Sequence, residues 1–413
     1  MFERSIPEWL RHPPAAAARK PGAKAFATLS GVENMIRGTL LSVFPLAMYA
    51  ALGSAEAVSQ VYFLVGLGSL TVGLLLPWVN RLVPRRWLYT LGAAFYFVGG
   101  LVGAQGGAGV VLALVLCSLG TVICFICLNA YVLDYIGKND LGRTETLRMF
   151  YSAASWTLGP VAGVALMNLW APAPFVLASI FALVQMAVFW ALRLGNGKLI
   201  QKARGPAPNP LAFLARFFAQ PRLIAGWLFA VLRSCGWWGY IVYLPIFAIE
   251  SGLPRPLGGI LVSATNSFLF ISPLMLRWVQ RRSVRAAVRT GFFISTTGFV
   301  VAAFSPLPVV AVAGLFIASV FLILLDVSGG LPFLMAVKPS ERTEMAAVYS
   351  SFRDVSGILT PGVGALILIV APIQGIFAAV AVGLGAMFVL AGRLHPMLGV
   401  EPARRSQSRA ARR

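Results

Sequence analysis

Twelve apolar runs, each long enough to cross a bilayer, constrain this chain more than any other feature. They cover roughly residues 26–53, 58–80, 87–106, 110–136, 149–170, 175–194, 223–250, 257–279, 288–304, 309–337, 345–370 and 374–392. Hydrocarbon offers the backbone no hydrogen-bond partner, so such runs satisfy their own N–H and C=O groups as helices. The expected fold class is an all-α membrane protein with twelve transmembrane helices. Composition agrees: 58% of 413 residues are hydrophobic and only 11% charged, a balance outside the range of soluble domains.

A net charge of +21 would suggest a nucleic-acid partner until the residues are placed. Of 34 Lys and Arg, all but four fall on one face of the twelve-helix arrangement. That face carries the N-terminus, every second loop and the C-terminus. The four others are Arg37, Arg233 and Arg353 within runs, and Arg255 on the opposite face. Lys and Arg concentrate on the cytoplasmic side of membrane proteins, so both termini are expected to be cytoplasmic and no nucleic acid is expected. Residues 1–24, which lack the apolar core of a cleavable leader, are expected to form a cytoplasmic segment. Residues 195–221, rich in Gly, Pro and basic residues, are expected to link a six-helix half at 25–194 to another at 222–393. Residues 394–413 form a basic tail. An alanine-rich, arginine-over-lysine composition points to a bacterial cytoplasmic (inner) membrane.

The two halves repeat. Arg37 and Arg233 are 196 residues apart, and the same offset carries Pro77, Arg81, Val83, Arg85 and Arg86 onto Pro273, Arg277, Val279, Arg281 and Arg282. Arg143-Thr144-Glu145 precedes the fifth run as Arg342-Thr343-Glu344 precedes the eleventh, and Tyr151-Ser152 and Tyr349-Ser350 follow. Leu158-Gly159-Pro160 is echoed by Leu359-Thr360-Pro361. Two parallel repeats with a site between them at mid-membrane is a recurring plan of secondary transporters.

At these residues the chain resembles the major facilitator superfamily. Asn80-Arg81-Leu82-Val83-Pro84-Arg85-Arg86 is similar to that family's loop between helices 2 and 3, usually Asp-Arg-x-Gly-Arg-Arg, and residues 276–282 form its second copy. The usual Asp is replaced by Asn80 and by Leu276, so Glu145 and Glu344 are the carboxylates left to pair with these arginines at a cytoplasmic gate. The resemblance implies two pseudo-symmetric six-helix bundles, with helices 1, 4, 7 and 10 around a central cavity. Those four runs carry Glu33, Arg37, Asp134, Arg233 and Asp326, and the eleventh adds Arg353 and Asp354.

A cation in hydrocarbon costs roughly 2.5–3.5 kcal/mol at a helix centre on insertion scales, so each needs a reason. Arg37 and Arg233 are both expected near the midplane, facing one another. Arginine's fixed fork of donors suits carboxylate or phosphate. Trp237 and Tyr240 follow Arg233 on the same helical face. The paired arginines are locally similar to those of organophosphate:phosphate antiporters, in which such residues bind the phosphate. Two further readings stay open: Glu33 can neutralise Arg37 one turn away, and Asp326 can tie Arg233. Arg353 and Asp354 are expected to diverge by about 100°, so that only one faces the cavity. Asp326-Val-Ser-Gly-Gly-Leu-Pro332 is expected to loosen the tenth helix. Tyr49, Asn129, Tyr131, Tyr243 and Asn266 are further candidate cavity contacts. Gly159-Pro160-x-x-Gly163 is read as a packing or bending element.

No enzyme, metal site or cofactor is expected; Cys117, Cys124, Cys127 and Cys235 all lie within apolar runs. The expected function is gradient-driven transport of a small organic or phosphorylated anion by a monomer that opens alternately to each side. Arg37, Arg233, Trp237 and Tyr240 would bind the solute, while Glu33 and Asp326, with Asp134, Arg353 and Asp354, would couple protons or a counter-anion. The alternatives are a proton-coupled exporter of amphipathic compounds, a permease for a metal chelate, and a non-transporting membrane scaffold.

Overall fold

The computed structural model describes residues 21–136, 140–192, 213–337, 345, 348–396 and 398. Among the described residues, each of the twelve apolar runs is largely helical. Eight helical rods are long and apolar enough to cross a membrane: Ala23–Leu52, Ala55–Asn80, Ala108–Val132, Ala173–Ala191, Leu257–Arg282, Val284–Phe304, Pro308–Ala336 and Gln374–Ala391. The other four are Arg85–Gly103, Leu141–Leu169, Pro221–Glu250 and Phe352–Leu368. Charged and polar residues lower their mean hydropathy, and the last has only 17 residues.

In chain order the first half is α1 (Ala23–Leu41), α2 (Val43–Leu52), α3 (Ala55–Leu82), α4 (Arg85–Gly103), α5 (Ala108–Tyr135), α6 (Leu141–Leu169) and α7 (Ala173–Ala191). The second is α8 (Leu214–Phe218), α9 (Pro221–Glu250), α10 (Leu257–Ser267), α11 (Ser272–Arg282), α12 (Val284–Phe304), α13 (Pro308–Ser328), α14 (Leu331–Ala336), α15 (Phe352–Leu368) and α16 (Gln374–Ala391). Small polar groups and prolines end and start these rods. The Ser54 hydroxyl accepts from the Ala57 amide and Ser283 accepts from Ala286, satisfying amides that open a helix. Gly53, at φ 74°, ends α2 in the left-handed conformation that a side chain would oppose.

Some of the rods are broken. The first bends at Ser42, between α1 and α2. The eighth passes through a 3₁₀ turn at Phe268–Ile271, although the matching Pro77 in α3 is carried without a break. The tenth is interrupted at Gly329-Gly330 between α13 and α14, where the glycine pair and Pro332 predicted it. The residues expected to be linker are not wholly so: α8 folds onto the second half, with Phe217 fully buried against Phe333, Leu223 and Val348.

Within the first half α1 packs on α6 and α7, and α4 on α5 and α7. Within the second, α12 packs on α13 and α16, and α9 on α13, α15 and α16. The α1–α6 seam is a backbone contact. A Cβ on Gly38 would lie 2.6 Å from the Ser155 carbonyl oxygen, and one on Gly163 would lie 2.0 Å from that of Thr39. This accounts for Gly159-Pro160-x-x-Gly163 as a packing surface; α6 runs through Pro160 unbroken.

The halves meet where α3 crosses α15, α6 crosses α10 and α2 touches α9. Among the described residues, hydrogen bonds between the halves join the Ser59 and Tyr243 hydroxyls (2.9 Å), the Val161 amide to the Ser263 hydroxyl (2.9 Å), and the Asn266 amide to the Trp156 carbonyl (2.9 Å). All three lie at mid-depth or toward the short loops after Leu52, Gly103, Leu169, Glu250 and Phe304. Among the described residues, the hydrogen bonds between the halves thus lie at mid-depth or on the side opposite the linker.

Candidate functional site

Between the halves lies a cavity of about 320 Å³. The first half lines it with Arg37, Leu40 and Phe44 of the first rod, Tyr62 and Ser69 of α3, Tyr96 of α4, Cys117, Ser118 and Thr121 of α5, and Trp156 of α6. The second half supplies Trp238, Ile241 and Val242 of α9, and Arg353, Asp354 and Gly357 of α15. Its roof is built by small residues. A Cβ on Gly66 would sit 3.1 Å from the Gly357 carbonyl oxygen, so α3 and α15 approach closely there. The Tyr62 and Trp238 rings meet edge-on beside this crossing, 5.9 Å apart.

Arg37 is 14 residues from Ala23 and 15 from Leu52 along its rod, the mid-depth position expected. Its guanidinium stands 5.2 Å from the Trp156 ring, a favourable cation–π distance. It forms no direct ion pair with Glu33, although the two lie within electrostatic range of one another. Glu33 turns into the first half, 3% exposed, with Oε1 unpartnered and Tyr96, Arg37 and Arg148 around it.

Arg233 corrects the central expectation. It does not face Arg37 across the cavity. It is 8% exposed, with its Nε 2.9 Å from Asp326 Oδ1 and its guanidinium 5.2 Å from the Phe352 ring. The Nε–H points off the carboxylate axis, so the contact is an ion pair without a well-aimed hydrogen bond. Trp237 donates its indole N–H to the other oxygen of Asp326 at 3.0 Å. Tyr240 is fully buried and joined through Thr265 to Ser319; it packs inside the second half and does not touch the cavity.

The cation that shares the cavity with Arg37 is Arg353. Its guanidinium lies 5.7 Å from the Phe125 ring of the first half and 5.5 Å from the Phe352 ring, within electrostatic range of Arg37, Arg233, Asp354 and Asp326. Asp354 lines the same cavity. The expectation that only one of the two could face inward fails, because the cavity borders more than a quarter-turn of the α15 surface. Among the described residues, the ion pairs are Arg85–Asp134, Arg148–Glu145 and Arg233–Asp326. None involves Arg37, Arg353 or Asp354.

The residues resembling the gate motif are arranged differently from expectation. Arg85 pairs with Asp134 beneath the Tyr131 ring, 5.2 Å from the guanidinium; Asp134 thus serves the linker-side end of α4 and α5. Among the described residues Glu145 pairs with Arg148, one turn away, at 2.7 Å. Asn80 keeps a buried carboxamide oxygen without a partner. Arg86 stands 5.8 Å from the Trp87 ring, while Arg277, Arg281 and Arg282 are exposed on α11. The Arg81 side chain and Glu344 lie outside the described residues.

Of the further candidates, none lines the cavity. Asn129 accepts from Arg148 at 3.0 Å, Tyr243 is tied to Ser59, Asn266 to the Trp156 carbonyl, Tyr131 is fully buried, and Tyr49 borders a second cavity among the short loops. Arg148 went unnoticed in the sequence, though it binds Ser30, Asn129 and Glu145 and so ties α1, α5 and α6 together. Its signal was the Glu145–Arg148 spacing of three. Trp156 and Trp238 carried no signal that separated them from packing tryptophans.

The profile of the Major Facilitator Superfamily matches residues 26–336. No curated protein sequence matches the chain. Among solved structures, the nucleoside transporter NupG superposes with a TM-score of 0.68 at 13% identity, covering 90% of this chain and 99% of that one. A bacterial homologue of the iron transporter ferroportin in an inward-facing state gives 0.69 at 16%, covering 90% and 98%. A POT family transporter in complex with 5-aminolevulinic acid gives 0.69 at 10%, covering 89% and 94%.

Proposed function

The chain belongs to the Major Facilitator Superfamily, and on that premise we propose that this integral membrane transporter carries a small organic anion, held between Arg37 and Arg353. One observation carries the proposal: two arginines from opposite halves line one cavity, and neither has an ion-pair partner among the described residues. Like charges in a partly desolvated space repel more strongly than in water. A bridging carboxylate or phosphate relieves that repulsion and gains charge-assisted hydrogen bonds from both forks. Because the two come from different halves, the solute also joins surfaces that must separate when the cavity opens to the other side. Transport is then secondary, with the halves rocking about the bound solute. The cavity is near the lower end of small-molecule sites, which span about 300–1,000 Å³, and its aromatic walls suit a solute with an apolar body.

The test is thermal stabilisation of the purified protein by a panel of small carboxylates and phosphates, followed by flux in reconstituted vesicles. Arg37→Gln and Arg353→Gln are expected to weaken the anion that stabilises the wild type at least tenfold, whereas Arg233→Gln leaves its affinity within about threefold. Undiminished binding in both cavity variants would exclude the arginine pair and favour an exporter of amphipathic compounds.

A further inference from the structure

The cavity contains one group that a simple anion carrier does not need. Asp354 contributes to the same wall as Arg353 and is exposed there. It makes no ion pair and no hydrogen bond among the described residues. Its place in the first turn of α15 lends it part of the helix's N-terminal field, but that supplies no partner. An anion bound between Arg37 and Arg353 would lie near this carboxylate and be repelled by it. The wall thus presents two guanidiniums and one carboxylate, the latter displaced about 100° around the α15 axis from Arg353.

We propose that the transported solute is an amino-bearing organic anion, with its acidic group between Arg37 and Arg353 and its ammonium on Asp354. This deepens the anion-carrier reading and rests on it. The arrangement pairs every charged group in the wall. The acidic group accepts from both guanidiniums, and the ammonium, a compact point charge with several donors, satisfies Asp354. The faces between them are Tyr62, Tyr96, Trp156 and Trp238, which accommodate a flat or apolar side group. Trp156 already holds a cation at its face in Arg37. A solute lacking the ammonium leaves Asp354 unpaired beside its own negative charge. One lacking the acidic group leaves two guanidiniums facing each other. The site therefore discriminates by leaving the wrong solute's partner group unsatisfied, the strongest means a polar site has.

Matched triplets test this: for each of several apolar skeletons, the amino acid, its deaminated carboxylate and its decarboxylated amine. Phenylalanine, 3-phenylpropionate and phenethylamine form one such set; short aliphatic and indole sets extend it, and aminoalkyl phosphates with their hydroxyalkyl counterparts cover the phosphate arm. Each is measured by thermal shift on the purified full-length protein and on Asp354→Asn and Arg37→Gln, with Asp354→Ser as a second neutral replacement in case the first folds poorly. In the wild type the amino-bearing anion is expected to bind at least tenfold more tightly than its deaminated partner in at least one set. Asp354→Asn and Asp354→Ser are expected to reduce that ratio to about threefold or less, chiefly by tightening the plain anion, while Arg37→Gln weakens both. Equal affinity for amino-bearing and plain anions in the wild type overturns the assignment of Asp354 while leaving the anion carrier standing. A preference that persists in both Asp354 variants does the same. If no anion of any set stabilises the wild type, the anion carrier itself fails, and this assignment with it.

Discussion

An arginine within a transmembrane helix must be compensated, and three here are compensated in three ways. Arg233 is tied to Asp326 and laid on Phe352, Arg37 is laid on Trp156, and Arg353 stands between Phe125 and Phe352. Only the first forms a direct ion pair among the described residues. Its loss is therefore structural: Arg233→Gln leaves Asp326 without its cation beside an apolar core. Breaking a fully buried pair costs about 3–5 kcal/mol, but the Asp326 side chain is 37% exposed, so we expect about 1–3 kcal/mol, read as a lower thermal midpoint in detergent. Arg37→Gln should lower the midpoint of the unliganded protein less, because Arg37 makes no direct ion pair and Glu33 keeps Arg148 nearby. A larger loss from Arg37→Gln than from Arg233→Gln would mean that the roles are exchanged. The charges themselves were legible in the sequence, and so was the possibility that Asp326 ties Arg233. Which arginine faced the cavity was not, because a few tens of degrees of helix rotation decide it and the 196-residue offset is blind to rotation.

At the scale of elements, the seam between α1 and α6 explains why Gly38, Gly159 and Gly163 stand where they do. Each lets backbone meet backbone, as small residues do where membrane helices pack closely. Gly163→Val is expected to be severe, since its Cβ alone would lie 2.0 Å from the Thr39 carbonyl oxygen. Overpacking typically costs about 1–3 kcal/mol, and a rigid carbonyl leaves little room to relax, so folded yield and thermal midpoint should both fall. Gly68→Ala in α3 is the matched control: its added carbon meets nothing within 4 Å, and its stability should stay within about 1 kcal/mol of wild type or rise through better helix propensity. Equal effects would show that the seam is not close-packed. The break after Asp326 was legible because Gly-Gly and Pro act locally. The 3₁₀ turn at Phe268–Ile271 was not, since Pro77 and Pro273 are matched in sequence and only one rod breaks.

For the whole molecule, the hydrogen bonds and close backbone approach between the halves, among the described residues, favour closure on the short-loop side. The Ser59–Tyr243 hydrogen bond, the backbone approach of Gly66 to Gly357 and the Val161–Ser263 bond all lie on the short-loop side or at mid-depth. Tyr243→Phe removes one of them without changing shape. A hydrogen bond is worth about 1 kcal/mol net, which corresponds to roughly a fivefold shift toward the state open on the short-loop side. A cysteine placed at Ser69 in the cavity wall reports this shift once Cys117, which lines the same cavity, is replaced by alanine; Cys124, Cys127 and Cys235 are buried away from it. Its reaction with a membrane-impermeant thiol reagent should slow from the linker side and quicken from the other. Unchanged rates from both sides would mean that this bond does not hold the closed face.

Hydrophobic run length and the placement of Lys and Arg determined, without any structure, that the chain is a bundle of membrane helices in two related halves. Those properties are one-dimensional: a helix forms in lipid because its own backbone must be satisfied, whatever lies beside it. The tertiary structure alone decided that Arg353 and Asp354 join Arg37 at the cavity, that Arg233 and Tyr240 turn inward, and that Arg148 takes Glu145. These depend on the rotation of each helix about its axis and on its closest approach to neighbours, which side-chain packing sets in three dimensions and which no spacing along the chain encodes.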